Sequence, residues 1–162
     1  MSAGRVELTV PVDVAAPAEA VWAAVTDWAG QGDWMLGTRV EVTGGDGRSV
    51  GSTLRAVTGV GPLGVPDTME ITEWTASAPG GPFRCVVRHT GAVVRGDGVF
   101  EVAGVGPDRS RFLWSELLEL PLGALGRAGW PLVRPAFRAG VAYSLGRLAR
   151  QCEAAYQQGR AH

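Results

Sequence analysis

The chain has no lysine and no asparagine, and all fifteen of its basic residues are arginine. Without lysine there is no Schiff-base chemistry and no Walker-type phosphate loop, which needs that ammonium. Without asparagine there is no N-glycosylation acceptor and no cysteine–histidine–asparagine catalytic set. Only two cysteines occur, Cys85 and Cys152. That is too few for a disulfide framework, and both are expected to be reduced and buried. Of the two histidines, His89 and His162, the second is the last residue, so no histidine-based metal centre has supporting spacing. No metal and no cofactor is expected.

No stretch reaches the roughly 18 apolar residues of a membrane span, and "MSAGRVELTV" lacks a signal-peptide core. A cytoplasmic protein without stable membrane insertion is the expectation. The formal charge is −1, which lacks the basic footprint of a nucleic-acid binder, so no nucleic-acid partner is expected. What remains is a chain of 162 residues, 46% hydrophobic and 19% charged. These values suit one globular domain, 1–162, as a monomer or homodimer.

Residues 6–14 alternate with Val6, Leu8, Val10, Val12 and Val14 on one face, which predicts a strand. Pro17 then opens a helix over 17–27 whose apolar face is Ala18, Val21, Trp22 and Val25. A second short helical turn is expected around "GDWM". Six further strands are predicted at 38–43, 50–58, 68–75, 83–93, 98–103 and 110–120. The segments "GGDG", "GVGPLGVP", "ASAPGG", "RGDG" and "GVGPD" separate them as turns. Such short connections force antiparallel pairing. From about 131 to 157 the period becomes helical, with Phe137, Val141, Leu145, Leu148, Cys152 and Tyr156 in one stripe and Arg147, Arg150 and Gln151 opposite.

That order, with "DVAAPAEAVWAAVTDWAGQGDWM", "MEITEWTA" and "ELLELPLG" in place, resembles the START-like (SRPBCC) superfamily. This superfamily includes polyketide cyclases, lipid-transfer domains and birch-pollen-allergen-like proteins. The resemblance covers about residues 5–157 and is closest to actinobacterial members grouped as polyketide cyclase/dehydrase. It implies an α+β helix-grip fold: a seven-stranded antiparallel sheet curled around the long C-terminal helix, with two short helices after the first strand. It also implies an apolar ligand held between sheet and helix.

Alternation along each strand, read against its charges, assigns the concave face. Phe83, Cys85, Val87 and His89 point inward, as do Phe112, Trp114, Glu116, Leu118 and Leu120. Met69, Ile71, Glu73, Phe100 and Val102 join them, and Val141 faces them from the helix. The wall is apolar except for His89, Glu73 and Glu116. A buried carboxylate needs a partner, a raised pKa or water. His89 and Glu116 are therefore candidates to orient a ligand's polar end, to act as acid and base, or to form a structural pair. Arg134 and Arg138 share the sector of Val141, which suggests either a charged rim at the cavity mouth or pairing with Glu116 or Glu73.

The stretch "GVGPLGVP" matches GxGxxG, but its prolines forbid the helix a dinucleotide site requires. Two readings remain: an apolar flap with Val60, Leu63 and Val65 over the mouth, or an ordinary hairpin loop. Cys85 and His89 lie about 13 Å apart along an extended strand, too far for a nucleophile and its base. The expected function is binding of a small hydrophobic ligand of polyketide, lipid or isoprenoid type. The alternative is a polyketide aromatase/cyclase or dehydratase using His89 and Glu116.

Overall fold

A computed structural model describes residues 5–76 and 79–161. Ser77 and Ala78, within the expected "ASAPGG" turn, and His162 lie outside the described residues. Strand β1 (Arg5–Val14) leads through Pro17 into α1 (Ala18–Val25) and a 3-10 turn at Ala29–Asp33. Then come β2 (Thr38–Gly44), β3 (Thr53–Val60), β4 (Leu63–Ala76), β5 (Phe83–His89), β6 (Gly96–Gly106) and β7 (Arg109–Glu119). Helix α2 (Ala124–Arg160) closes the chain. Every strand pairing is antiparallel, in the order β1-β7-β6-β5-β4-β3-β2. The meander from β2 to β7 thus ends with β1 returning beside β7. This is the expected α+β helix-grip architecture.

Alternation decides which residues enter the core. Leu8, Val10 and Val14 of β1 are buried, as are Phe83 and Cys85 of β5 and Phe112 and Trp114 of β7. Helix α1 buries Ala18, Val21, Trp22 and Val25, the face its spacing predicts. Trp22 stacks on Phe83 at 5.4 Å between ring centroids and tilts against Trp74 at 5.1 Å, so α1 plugs one end of the sheet.

The segment "GVGPLGVP" is not a long loop. β3 and β4 continue through it, with Val60 opposite Leu63 and Val57 opposite Pro66. Only Gly61 and Pro62 turn, and Gly61 supplies the positive φ of 60° that this reversal requires. A similar correction applies to "RGDG": Gly96, Asp97 and Gly98 belong to β6, while β5 ends at His89 and the turn occupies residues 90–95.

Helix α2 begins at Ala124, earlier than the expected 131, with Pro131 and Pro135 inside it. Each proline deletes one backbone donor. The carbonyls left without a partner, on Arg127 and Pro131, sit on exposed turns where water serves them. The buried residues of α2 are Ser144, Leu145, Leu148, Ala149 and Cys152, all in its second half. Phe137 and Val141 are only partly covered, and residues 131–136 are exposed. The helix therefore closes on the sheet like a wedge: tight toward its C-terminus, parted toward its N-terminus. No described helix is long and apolar enough to cross a membrane.

Candidate functional site

The parted end of the wedge encloses a cavity of about 560 Å³. Its sheet wall includes Leu54, Met69, Cys85, Val87, Phe100 and Trp114, and its helix wall includes Phe137, Gly140, Val141 and Leu145. Trp28, Gln31, Trp34 and Leu36, from the 3-10 turn and its flanks, form a third side. That side is tied to α2 by backbone contacts. Ser144 Oγ accepts from the Leu36 N–H at 3.0 Å. Arg147 and Gln151 donate to the Asp33 carbonyl at 2.7 and 3.0 Å. The face of α2 opposite the apolar stripe is thus put to use in holding this segment.

Three polar side chains converge on the wall. His89 Nδ1 lies 2.9 and 2.8 Å from the two oxygens of Asp67, and His89 Nε2 lies 3.1 Å from Glu116 Oε2. The three residues come from β4, β5 and β7, and β6 runs between His89 and Glu116. The bond crosses β6 because Gly98, paired with both Val87 and Glu116, has no side chain to block it. A Cβ at Gly98 would sit 3.1 Å from Val87 Cγ2 and 3.2 Å from Glu116 Oε1. Any side chain here would push on both neighbours, so glycine favours the close approach.

The electrostatics follow from this geometry. Burial alone would lower the His89 pKa, but hydrogen bonds and charge from Asp67 and Glu116 outweigh it and push the value up to about 10. At neutral pH the ring is an imidazolium donating from both nitrogens. Glu116 moves in the same direction for a different reason. Its burial raises the carboxyl above the usual range, and the attraction of His89 only partly opposes this. Neither cysteine is poised as a nucleophile: burial pushes Cys85 up to about 12 and Cys152 up to about 11.

Nine of the residues that the sequence assigns to the concave face or sets opposite it line the cavity: Met69, Cys85, Val87, His89, Phe100, Trp114, Glu116, Leu118 and Val141. Ile71, Phe83 and Phe112 do face inward, but they lie in the solid core at the plugged end. Glu73 corrects the face assignment. Ile71 pairs with Val87 and Glu73 with Val86, so a bulge at Thr72 turns the strand over. Trp74 then packs inward, and Glu73 faces solvent, where Arg84 Nε meets it at 3.0 Å. Arg134 and Arg138 are exposed and do not line the cavity, and neither pairs with Glu116 or Glu73. Arg138 instead donates to the Thr9 carbonyl at 2.9 Å, bracing α2 against β1.

Asp67, Gly98 and the tryptophans Trp28 and Trp34 also line the cavity, and sequence reasoning missed them as site candidates. Asp67 falls on the inner face two residues before Met69, a signal hidden by reading its hairpin as a loop. The indole N–H of Trp34 is buried with no acceptor among the described residues.

The cluster sets a pH dependence of stability. Both His89 and Glu116 hold their protons more tightly folded than unfolded, so stability falls as pH rises. The His89 contribution is complete below its ordinary value of 6.5 and is lost as pH climbs through about 10. A His89→Gln variant should melt well below the parent at pH 7, because two buried carboxylates then face each other without a cation. The gap between their melting temperatures should narrow steadily toward pH 10. Thermal melts of both proteins at several pH values check this, and a constant gap would contradict the assignment.

Residues 5–153 match the family model described as polyketide cyclase / dehydrase and lipid transport. Among solved structures, a protein of Thermus thermophilus superposes with a TM-score of 0.75 at 20% identity, covering 93% of this chain and 99% of that one. The Zhui aromatase/cyclase of a Streptomyces species gives 0.72 at 14% identity, covering 93% and 94%. A START superfamily protein of Mycobacterium smegmatis gives 0.62 at 18% identity, covering 96% and 99%. No curated protein matches the sequence. The structural likenesses establish the START-like fold, and the match across nearly the whole chain establishes membership: this is a polyketide cyclase/dehydrase and lipid transport family protein.

Proposed function

We propose that the protein binds a small hydrophobic ligand of polyketide, lipid or isoprenoid type in the cavity between its sheet and α2. The Asp67–His89–Glu116 cluster would fix the ligand's polar end. The observation that carries this reading is the cavity itself: about 560 Å³, walled mostly by aliphatic and aromatic side chains, with its ionisable groups converging at one place. Burial of the ligand's apolar body supplies the affinity, at about 25 cal/mol per Å² removed from water. The family's description, which joins cyclisation, dehydration and lipid transport, is consistent with a site of this kind.

A second reading is acid–base chemistry on a poly-β-ketone, and one observation favours it. Glu116 is a buried carboxyl whose pKa is raised above the usual range, a shift in the direction that proton transfer by a carboxyl needs. His89 is the weaker candidate for the base, since hydrogen bonds to the two carboxylates occupy both its nitrogens. The proton-transferring atom in this reading is Glu116 Oε1, which receives no hydrogen bond from the described residues. If so, the protein should accelerate deuterium exchange at the acidic carbon of a simple aryl β-diketone, and Glu116→Gln should remove that acceleration. Proton NMR checks it, and equal exchange with and without protein would sink the catalytic reading.

Gly140 provides the test of binding. It lines the cavity from α2, and a Cβ placed there meets nothing within 4 Å. Gly140→Leu fills the hollow while replacing a poor helix former by a good one, a gain of about 0.8–1 kcal/mol in helix propensity. The variant should melt at or above the parent temperature and bind apolar ligands at least about tenfold more weakly. Native mass spectrometry of both proteins as purified, with titration of a fluorescent apolar ligand, measures this. Undiminished binding by Gly140→Leu would contradict the cavity as the site.

A further inference from the structure

Acid outnumbers base at the polar end of the cavity: two carboxyl groups meet one imidazole, and none of the chain's fifteen arginines lines the space. One of the two readings of the sequence pattern puts Arg134 and Arg138 at the mouth, where they would meet an anionic ligand. Both stand outside the lining, and Arg138 is engaged with the Thr9 carbonyl. The remaining polar groups of the wall are neutral. Gln31 donates to the Val25 carbonyl, while Thr38 and Thr58 share a hydrogen bond. Among the described residues, the only cationic side chain in the lining is His89, and both its nitrogens are already held by Asp67 and Glu116.

Resting on the ligand-binding reading above, we propose that this cavity selects by charge. It accepts amphiphiles whose polar end is an ammonium, takes neutral hydrogen-bond donors less tightly, and rejects those ending in a carboxylate. The ligand's donor meets Glu116 Oε1, which receives no hydrogen bond from the described residues and lies beside the gap left by Gly98. Apolar walls keep the local dielectric low, so the sign of the ligand's charge counts for far more here than at the surface. The raised pKa of Glu116 fits the same picture: burial makes its ionised form costly in the absence of a second cation. An entering ammonium supplies that cation and lowers the cost. An entering carboxylate adds a further negative charge and raises it.

The experiment uses three compounds with one apolar body: 2-(1-naphthyl)ethylamine, 2-(1-naphthyl)ethanol and 1-naphthylacetic acid. Isothermal titration calorimetry at pH 7 measures each against the full chain. The amine should bind at least about tenfold more tightly than the acid, with the alcohol between them. Glu116→Gln should reduce that ratio to about threefold or less. Asp67→Asn, which removes the other carboxylate, should reduce it likewise and serves if Glu116→Gln does not fold. An acid that binds as tightly as the amine, or a ratio unchanged in the folded variants, would overturn the charge inference and leave the cavity reading standing. Failure of all three compounds to bind the natively melting parent would overturn the cavity reading and this inference with it.

Discussion

The imidazole of His89 lies between the carboxylates of Asp67 and Glu116, and this one arrangement ties together strands β4, β5 and β7 on the concave face of the sheet. Desolvating three ionisable groups is expensive, and the geometry recovers the cost only because each ring nitrogen finds an acceptor. Remove the ring and two carboxylates confront each other in an apolar pocket. Remove one carboxylate and a ring N–H loses its acceptor inside the fold. The cluster therefore behaves as a unit whose protonation belongs to the three groups together. Gly98 of β6 leaves room for the partners to meet, whereas Gly96 is glycine for its positive φ and its close approach to the Leu117 carbonyl.

The cluster has a cavity to act on because α2 covers only part of the sheet. Leu145, Leu148 and Cys152 seal one end, and the 3-10 turn is fastened to the same half of the helix through Ser144, Arg147 and Gln151. Toward the N-terminus the helix presents Gly140 and Ala136, side chains too small to reach the opposite wall. Space is thus created by what α2 lacks at those positions, and the rigid half fixes how wide the gap is. The plug of Trp22, Trp74 and Phe83 closes the far end, so in the proposed binding mode the walls place the ligand and the polar cluster orients it.

Where strands run without interruption, the site was legible from alternation alone. Cys85, Val87 and His89 on β5, with Trp114 and Glu116 on β7, fall on the inner face with no bulge to disturb the count. Glu73 was lost to a single bulge at Thr72, a backbone event that shifts every later residue of β4 by one face. Asp67 was hidden by composition: Pro62, Gly64 and Pro66 imitate a loop, although β3 pairs with that whole stretch. The glycines of β6 imitated a turn for the same reason. Long-range contact also decides positions that periodicity cannot. Nothing in the spacing of Arg138 shows that it reaches across to Thr9 rather than to the cavity mouth.

The central claim is that His89 is a doubly bonded imidazolium at neutral pH, and nitrogen NMR reads this directly. With uniformly 15N-labelled protein at pH 8, His89 should show a directly bonded proton on both ring nitrogens and the nitrogen shifts of the charged ring. A single protonated nitrogen, with the shifts of a neutral tautomer, would contradict the account, and the charge assigned to the cavity would have to be withdrawn.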